Sequence, residues 1–332
     1  MTAFRDAILA QPENLAAAAH AVEEALAELD LSPWRSGTLV VGAIGASQSA
    51  AIPVVRALRA RGRRAFLLTA SELALDRARD LGDAFVLVSQ SGASAETVDA
   101  LAQLDGAPVL AISAHRDSPV ARHADGWLPL GPRADTPVAT LSYTATLQTL
   151  GMLGDALAAE PLAPWTNVSE IAEAVLNSSR DVAERLAPAF AQINSLDAVG
   201  GGSAEGSAGE TALLAREGLR LPAAAMETRQ YLHGPMESVA AGLGAIVFGG
   251  ERERALAAEL TSYGATVLLI GEADAVSGSG DGVTVLGLPD ASPTAAPILE
   301  ILPVQLLAER VAGVRGLPIG ELRRSQRDTK VA

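Results

Sequence analysis

The sequence lacks cysteine and has few of the other residues on which common chemistries depend. Without cysteine the chain has no disulfide framework, no thiolate metal site and no cysteine nucleophile. Histidine occurs only four times, and aromatic residues make up 3% of the chain. With so few aromatic residues, the core must consist mainly of alanine, leucine and valine. This composition favours packed layers of helices and sheets.

Basic stripes and long apolar segments are also missing. The net charge is −14 and the arginines are dispersed, so the electrostatic footprint of a nucleic-acid-binding protein is absent. No apolar run reaches the roughly 18–20 residues that span a bilayer, and the first residues do not resemble a signal peptide. We therefore expect a cytoplasmic protein whose partners are neither nucleic acids nor membranes.

The apolar segments predict a duplicated α/β unit. At 332 residues the chain is too long for one typical core. Short apolar runs alternate with helical stretches, which is typical of parallel sheets covered on both faces. Each half opens with a strand that leads into a Gly/Ala/Ser-rich turn and a helix. The predicted strands are 39–42, 65–69, 84–89, 109–113 and 126–130, then 196–200, 244–248, 266–270 and 283–286.

The most informative segment is the hydroxyl-rich loop at residues 89–94, which follows a buried strand and precedes a helix. Ser89, Gln90, Ser91 and Ser94 supply donors at the positive end of a helix, where phosphate binds readily. Gly92 permits close approach of the backbone. Ser94 as a simple helix cap is an equally good explanation of that one residue, but capping does not explain Ser89 to Ser91.

A second small-residue loop, with Gly45, Ala46 and Ser47, follows the first predicted strand. In a doubly wound sheet this loop would lie beside the loop at 89–94, at the edge where such sheets bind ligands. Two neighbouring loops of this kind favour one shared ligand.

These segments resemble the sugar isomerase (SIS) domain family. The stretch SQSGASAET is similar to the family signature, and GAIGASQSAA is similar to the loop that opens the domain. Three later segments, GGGSAEGSAGETALLARE, LHGPMES and PILEILPVQLLAERVAGVRG, resemble the isomerase half of glucosamine-fructose-6-phosphate aminotransferase and glucosamine-6-phosphate deaminase-like proteins. The resemblance starts near residue 38 and implies two flavodoxin-like α/β domains with doubly wound parallel sheets.

The expected organisation is N-terminal helices at 1–34, a first SIS domain at 35–157, linker helices at 158–194, a second SIS domain at 195–318 and an active-site tail at 319–332. By resemblance, the serine loop binds the 6-phosphate of a sugar. The expected substrate-binding residues are Gly45, Ala46, Ser47, Ser89, Gln90, Ser91, Ser94, Ala139, Thr140 and Glu210. The family's Thr-Lys pair appears here as Thr140-Leu141, so the orientation of the substrate is expected to differ.

Glu217 and Glu210 lie seven residues apart on the helix after the second glycine-rich loop, so they share one face. A carboxylate beside apolar surface has a raised pKa, which suits a general base acting at C1 or C2 of a sugar. A solvated helix face is the better explanation for a lone glutamate. The resemblance reverses that preference, because Glu217 falls on the family's proton-shuttling glutamate.

His233 and Lys330 are the other catalytic candidates. His233 lies in a Leu-His-Gly-Pro turn. The resemblance implies that its imidazole assists opening of the sugar ring in the active site of a neighbouring subunit. It therefore also implies a homodimer. A structural histidine is the alternative. Lys330 is the only lysine, and an amine can form a Schiff base with a sugar carbonyl. A stray charge on a disordered tail is the alternative.

The expected reaction is isomerisation and deamination of a hexosamine 6-phosphate, with glucosamine 6-phosphate giving fructose 6-phosphate and ammonia. The sequence shows no glutamine-hydrolysing domain, which disfavours full aminotransferase activity. An N-acetylglucosamine 6-phosphate dehydratase, a fructosamine-phosphate deglycase and a non-catalytic phosphosugar sensor remain open. The resemblance implies no metal, nucleotide or flavin cofactor.

Overall fold

The computed structural model describes residues 2–75, 77–280, 282–324 and 328–331. Two compact units are present. The first-sheet unit comprises Pro12–Ala134, Leu141–Ser169 and Arg324–Ala332, and the second-sheet unit comprises Met1–Gln11, Asp135–Thr140 and Glu170–Arg323. Three of the tail residues, at 325–327, and Ala332 lie outside the described residues.

The strands and helices follow the alternation expected from the sequence. The strands are β1 Leu39–Ala43, β2 Ala65–Thr69, β3 Ala84–Val88, β4 Val109–Ile112, β5 Gly126–Leu128, β6 Ser195–Gly200, β7 Ala223–Met226, β8 Leu243–Phe248, β9 Thr266–Glu272 and β10 Thr284–Leu288. The helices are α1 Ala3–Leu9, α2 Gln11–Glu28, α3 Ala46–Ala60, α4 Ala70–Leu75, α5 Ala95–Ala102, α6 Pro119–Arg122, α7 Leu141–Leu157, α8 Val168–Phe190, α9 Ala204–Glu217, α10 Thr228–Leu232, α11 Glu251–Ser262, α12 Ala273–Val276 and α13 Ala296–Arg315.

Both sheets are parallel and have the same topology. The first has the order β2-β1-β3-β4-β5, and the second has the order β10-β9-β8-β6-β7. If each unit's strands are numbered along its own chain, both orders become 2-1-3-4-5, which is the flavodoxin-like doubly wound arrangement. The predicted fold class, two flavodoxin-like α/β sheets with flanking helices, is confirmed.

The central strands are buried because they are continuous apolar runs with helices on both sides. Every residue of β1, β3 and β8 is buried. In the first-sheet unit α3 packs against α7, and in the second-sheet unit α9 packs against β6, β7 and α13. Strand β7 was not predicted, since its sequence Ala-Ala-Ala-Met has no β-branched residue and two of its four positions are exposed.

Ligand-binding positions follow from this topology. Strands β1 and β3 are hydrogen-bonded neighbours that run in the same direction. Their carboxyl ends therefore meet at one edge of the first sheet, where the loops at 44–45 and 89–94 begin. Among the described residues, no helix has the length and apolar character needed to cross a membrane.

Candidate functional site: a serine loop, a lysine tail and a pair of carboxylates

The serine loop starts where β3 ends. Ser89 is 3% exposed, and its hydroxyl donates to the Ser94 hydroxyl at 3.1 Å. The amide of Gly92 donates to the carbonyl of Ser89 at 2.9 Å, which closes a tight turn. Gly92 has φ +63°, a conformation that favours glycine.

The Ser94 hydroxyl does not cap helix α5. Ser94 occupies the N-cap position with extended backbone, yet its side chain accepts no hydrogen bond from the first turn of the helix. Simple capping, the alternative explanation from the sequence, therefore does not account for this hydroxyl. The loop instead presents hydroxyls at the positive end of α5, an arrangement that can bind an anion.

Buried serines behind the loop fix its shape. Ser113 follows β4 and Ser118 precedes α6; their hydroxyls lie 3.2 Å apart, and both residues are buried. The indole of Trp127 donates to the Ser113 hydroxyl at 3.0 Å. A Cβ on Gly92 would lie 2.0 Å from the Ser118 hydroxyl, so the turn packs tightly on these serines. Sequence reasoning missed them, although Ser113 ends its strand just as Ser89 does.

The small-residue loop after β1 lies at the same sheet edge. Gly45 is the N-cap of α3 with φ +62°, and no side chain caps this helix start. The first N–H groups of a helix have no partner within the helix, so Ala46 and Ser47 are in place to offer theirs to a ligand. Ser47 is partly buried.

The C-terminal tail pairs with the serine loop. Ser94 and Lys330 form an antiparallel bridge. The amide of Val331 donates to the carbonyl of Ala93 at 2.9 Å, and the amide of Ala95 donates to the carbonyl of Thr329 at 3.2 Å. The Lys330 ammonium donates to the Ser91 hydroxyl at 2.7 Å. The structure thus brings the only lysine to the loop that the sequence singled out.

The two carboxylates of α9 lie in the second-sheet unit. Glu210 is 1% exposed, and its Oε2 has no hydrogen-bond partner among the described residues. Burial raises its pKa well above the usual range, and the negative charges of Glu217 and Asp135 raise it further. Glu217 is half-buried, and burial alone raises its pKa. Both carboxyl groups therefore hold their protons to a higher pH than an ordinary glutamate does.

Ala139 and Thr140 lie in the same unit as these carboxylates. Thr140 is fully buried, and its amide and hydroxyl both donate to Asp135, the amide at 2.8 Å. The side-chain amide of Gln305, from α13, donates to the Thr140 carbonyl at 3.4 Å. Asp135 thus fixes the backbone at Thr140 and also acts on the pKa of Glu210.

His233 is an exposed residue at the end of α10. Its amide donates to the carbonyl of Gln230 at 3.1 Å, and Gly234, with φ +133°, redirects the chain immediately afterwards. The turn therefore fixes the backbone at this position and leaves the imidazole accessible. Among the described residues, no group of three His, Asp or Glu side chains comes together as metal ligands.

Two flavodoxin-like sheets, one with a hydroxyl-rich loop at its carboxyl edge, define an α/β protein of two compact units with a candidate anion-binding site. A family model described as the SIS domain matches residues 33–159. The match covers the strands of the first sheet, and the second sheet repeats their topology.

Proteins similar to this chain are sugar-phosphate enzymes. A glutamine–fructose-6-phosphate aminotransferase from Pyrobaculum aerophilum is 29% identical over 330 residues, covering 93% of this chain and 54% of the relative. The chain spans about half the length of the curated relatives it matches.

Solved structures share the fold over nearly the whole chain. The C-terminal domain of the aminotransferase from Francisella tularensis has a TM-score of 0.84 at 20% identity, covering 96% of this chain and 97% of that one. A glucosamine-6-phosphate deaminase from Thermotoga maritima has a TM-score of 0.79 at 22% identity, with coverage of 96% and 97%. These likenesses identify the architecture.

Proposed function

We propose that this protein is a cytoplasmic amino-sugar-phosphate isomerase and deaminase that converts glucosamine 6-phosphate and water to fructose 6-phosphate and ammonia. The observation that carries the proposal is the serine loop with the Lys330 ammonium on Ser91. Hydroxyls, helix N–H groups and one cation suit a phosphate, while an amine suits the carbonyl chemistry of the attached sugar.

The proposed phosphate site uses the two neighbouring loops of the first sheet. Ser89, Ser91 and Ser94 would donate hydroxyl hydrogen bonds to the phosphate oxygens, with Gln90 beside them. Gly45, Ala46 and Ser47 would contribute backbone N–H groups and one more hydroxyl. The turn at Gly92 holds these donors in place before the ligand arrives, which reduces the ordering cost of binding.

In the proposed chemistry, His233 assists ring opening and Glu217 removes the C2 proton of the open-chain aldehyde. The electrons of the C2–H bond form a C1–C2 double bond while the C1 oxygen gains a proton. Return of a proton to C1 gives the protonated C2 imine of fructose 6-phosphate. The Lys330 ammonium loses a proton, its free amine adds to C2, and the original nitrogen takes up a proton and leaves as ammonia; water then adds to the new imine, releasing fructose 6-phosphate and the free lysine.

Three other residues would support this reaction. Glu210, whose burial raises its pKa well above the usual range, would serve as a proton donor beside Glu217 as the base. Ala139 and Thr140 would bind the sugar, in an orientation set by the Asp135 hydrogen bonds.

The test is the release of fructose 6-phosphate and ammonia from glucosamine 6-phosphate in equal amounts. Unphosphorylated glucosamine serves as the matched substrate that lacks only the phosphate, and it should turn over far more slowly. A new ultraviolet chromophore from N-acetylglucosamine 6-phosphate, without ammonia release, would instead identify a dehydratase. Turnover of a fructosamine phosphate alone would identify a deglycase, and binding without any turnover a sensor.

The phosphate site has its own test. The substitution Ser91→Ala should raise the KM for glucosamine 6-phosphate about tenfold. This is the loss of affinity expected when one hydrogen bond to a charged group is removed. Ser36→Ala is the control, since Ser36 is an exposed serine of the same unit. An unchanged KM in Ser91→Ala would remove this loop from the phosphate site.

We also propose a homodimer in which His233 of each subunit acts in the site of the neighbouring subunit. Mixing inactive His233→Ala and Glu217→Gln proteins tests this directly, because mixed dimers would contain one site with neither substitution. Recovery of activity on mixing supports the shared site. Proteins that exchange subunits and stay inactive would show that each subunit uses its own histidine.

A further inference from the structure

The second-sheet unit contains a cavity of about 210 Å³ that is distinct from the residues assigned above. It lies at the carboxyl ends of β8, β9 and β10 and is closed by the start of α13. Ligands of doubly wound sheets bind at this edge. The volume equals that of about seven water molecules at about 30 Å³ each, so a molecule of monosaccharide size or smaller suits it.

The described lining of this cavity is acidic. Its charged residues are Glu272, Asp290 and Glu300, and no lysine, arginine or histidine lines it. The start of α11 brings a further carboxylate near this edge, since the amide of its N-cap, Gly250, donates to the Glu253 carboxylate at 3.1 Å. A phosphate or carboxylate ligand is therefore disfavoured and a cation is favoured.

Glu300 is the unusual member of the set. It is 7% exposed and lies on α13 in the apolar run Pro-Ile-Leu-Glu-Ile-Leu. Its Oε2 accepts a hydrogen bond from the Ser207 hydroxyl of α9, while Oε1 accepts none from the described residues. A carboxylate can accept about four hydrogen bonds. Glu300 lines the cavity, so Oε1 is available to accept a hydrogen bond from a ligand that donates.

The pKa of Glu300 is consistent with a cavity that favours a cation. Burial raises its pKa to about 7, and the Ser207 hydrogen bond acts in the opposite direction. Near neutral pH the side chain is therefore divided between its charged and neutral forms. A cation in the cavity would favour the charged form.

We propose that this cavity binds a primary ammonium group, either the ammonium ion or a monosaccharide-sized amine, through Glu300 inside and Glu272 and Asp290 at its mouth. The ammonium donates to Oε1 of Glu300 and to the two exposed carboxylates. Hydroxyls of a sugar amine can donate to the same oxygens. No phosphate is required, which separates this site from the serine loop of the first-sheet unit.

Calorimetric titration with glucosamine and with ammonium chloride tests the proposal, and their comparison separates the two sources of the ammonium group. Glucose is the matched neutral sugar, and sodium chloride controls for ionic strength. We expect glucosamine or ammonium to bind, with glucose about tenfold weaker or more, the loss of a charge-assisted hydrogen bond. Equal binding of glucose and glucosamine, or no binding of either amine, would overturn the proposal.

Variants assign the binding to this cavity. Glu300→Gln should weaken amine binding about tenfold or more while the KM for glucosamine 6-phosphate stays unchanged. Asp290→Asn should weaken binding by a smaller factor. Asp274→Asn removes the same charge from an exposed position of the same unit that does not line the cavity, and it should bind as the wild type does.

Unchanged amine affinity in Glu300→Gln would contradict the assignment. If Glu300→Gln does not fold, the double variant Asp290→Asn with Glu272→Gln replaces it, since both positions are exposed. The double variant must bind the amine more weakly than the wild type, and a wild-type affinity would reject the site.

Discussion

The ammonium nitrogen of Lys330 lies 2.7 Å from the hydroxyl oxygen of Ser91. Backbone hydrogen bonds on either side, from Val331 to Ala93 and from Ala95 to Thr329, fix the register of this contact. The tail therefore does two things at the loop. Its backbone extends the turn at Ala93 and Ser94, and its side chain adds the positive charge that the serines lack.

Replacing Lys330 should separate charge from amine chemistry. Lys330→Arg keeps a cation that can reach Ser91 but cannot form a Schiff base, so kcat should fall by about 100-fold or more with a small change in KM. Lys330→Met should lower kcat equally and also raise KM. Kinetics with glucosamine 6-phosphate, together with reductive trapping of a sugar adduct on the tail peptide, measure both effects.

Arg324→Met is the control for Lys330, since it removes a cation from an exposed position in the same tail. It should leave both constants near wild type. Wild-type kcat in Lys330→Arg would show that only the charge matters and would exclude the amine from the reaction.

Replacement of Gly92 by alanine tests the rigidity of the loop, because two separate effects oppose a side chain at this position. Its φ of +63° disfavours any residue with a Cβ, and that Cβ would lie 2.0 Å from the Ser118 hydroxyl. Gly106 has φ +73° with no atom near its added Cβ, so Gly106→Ala carries the backbone cost alone, about 1–2 kcal/mol. Gly92→Ala should lose clearly more free energy of unfolding and raise the KM for the phosphosugar.

Denaturant unfolding of the two alanine variants, beside their kinetics, provides the comparison. Equal losses of stability, with a KM in Gly92→Ala that matches the wild type, would show that the loop tolerates the displacement of Ser118 and is not a rigid phosphate site.

Local patterns in the sequence were enough to predict the two sheets and the serine loop. Apolar runs identified nearly all strands, because fully buried parallel strands read as continuous Val, Leu and Ala segments. Strand β7 escaped because alanine carries little strand preference. The hydroxyls of Ser89, Ser91 and Ser94 were recognisable because polar residues at the end of a buried strand need partners.

The resemblance implied that the tail belongs to the active site, but the specific contacts between distant parts of the chain were not predictable. The bridge between Ser94 and Lys330 joins a loop to a tail, and nothing in the tail's own composition indicates that pairing. The Ser207–Glu300 hydrogen bond joins two helices far apart in sequence. A single acid within the apolar run of α13 could have indicated a buried carboxyl, but not its partner.

Glu217 should determine the rate and its pH dependence. Glu217→Gln should lower kcat by about 100- to 10,000-fold, the usual contribution of a general base, with little change in KM. Because burial raises the pKa of Glu217, wild-type kcat should fall as the pH drops through a pKa above the 4.5 of an ordinary glutamate. The pH profile of kcat measures this pKa.

Glu184→Gln is the matched control for Glu217, since Glu184 is an exposed glutamate on α8 of the same unit. It should leave the profile unchanged. If Glu217→Gln keeps both the wild-type rate and the acidic limb of the profile, another group is the base.

Glu300 gives a prediction for stability that does not depend on any ligand. Its pKa is raised from 4.5 to about 7 in the folded protein, so the folded state holds a proton that the unfolded state releases between these values. The free energy of unfolding therefore contains a contribution that is present below pH 4.5 and is lost as the pH rises to about 7. From the difference in pKa, this contribution is about 3 kcal/mol.

Glu300→Gln, which is neutral at every pH, should remove that dependence. Glu210, whose pKa is also raised by burial, acts equally in both proteins and cancels in their difference. The variant should therefore gain stability relative to the wild type as the pH rises from about 4.5 to 8, with the gain largest above pH 7. Urea unfolding of both proteins across this range measures the difference, and a constant difference would mean that Glu300 titrates like an ordinary glutamate.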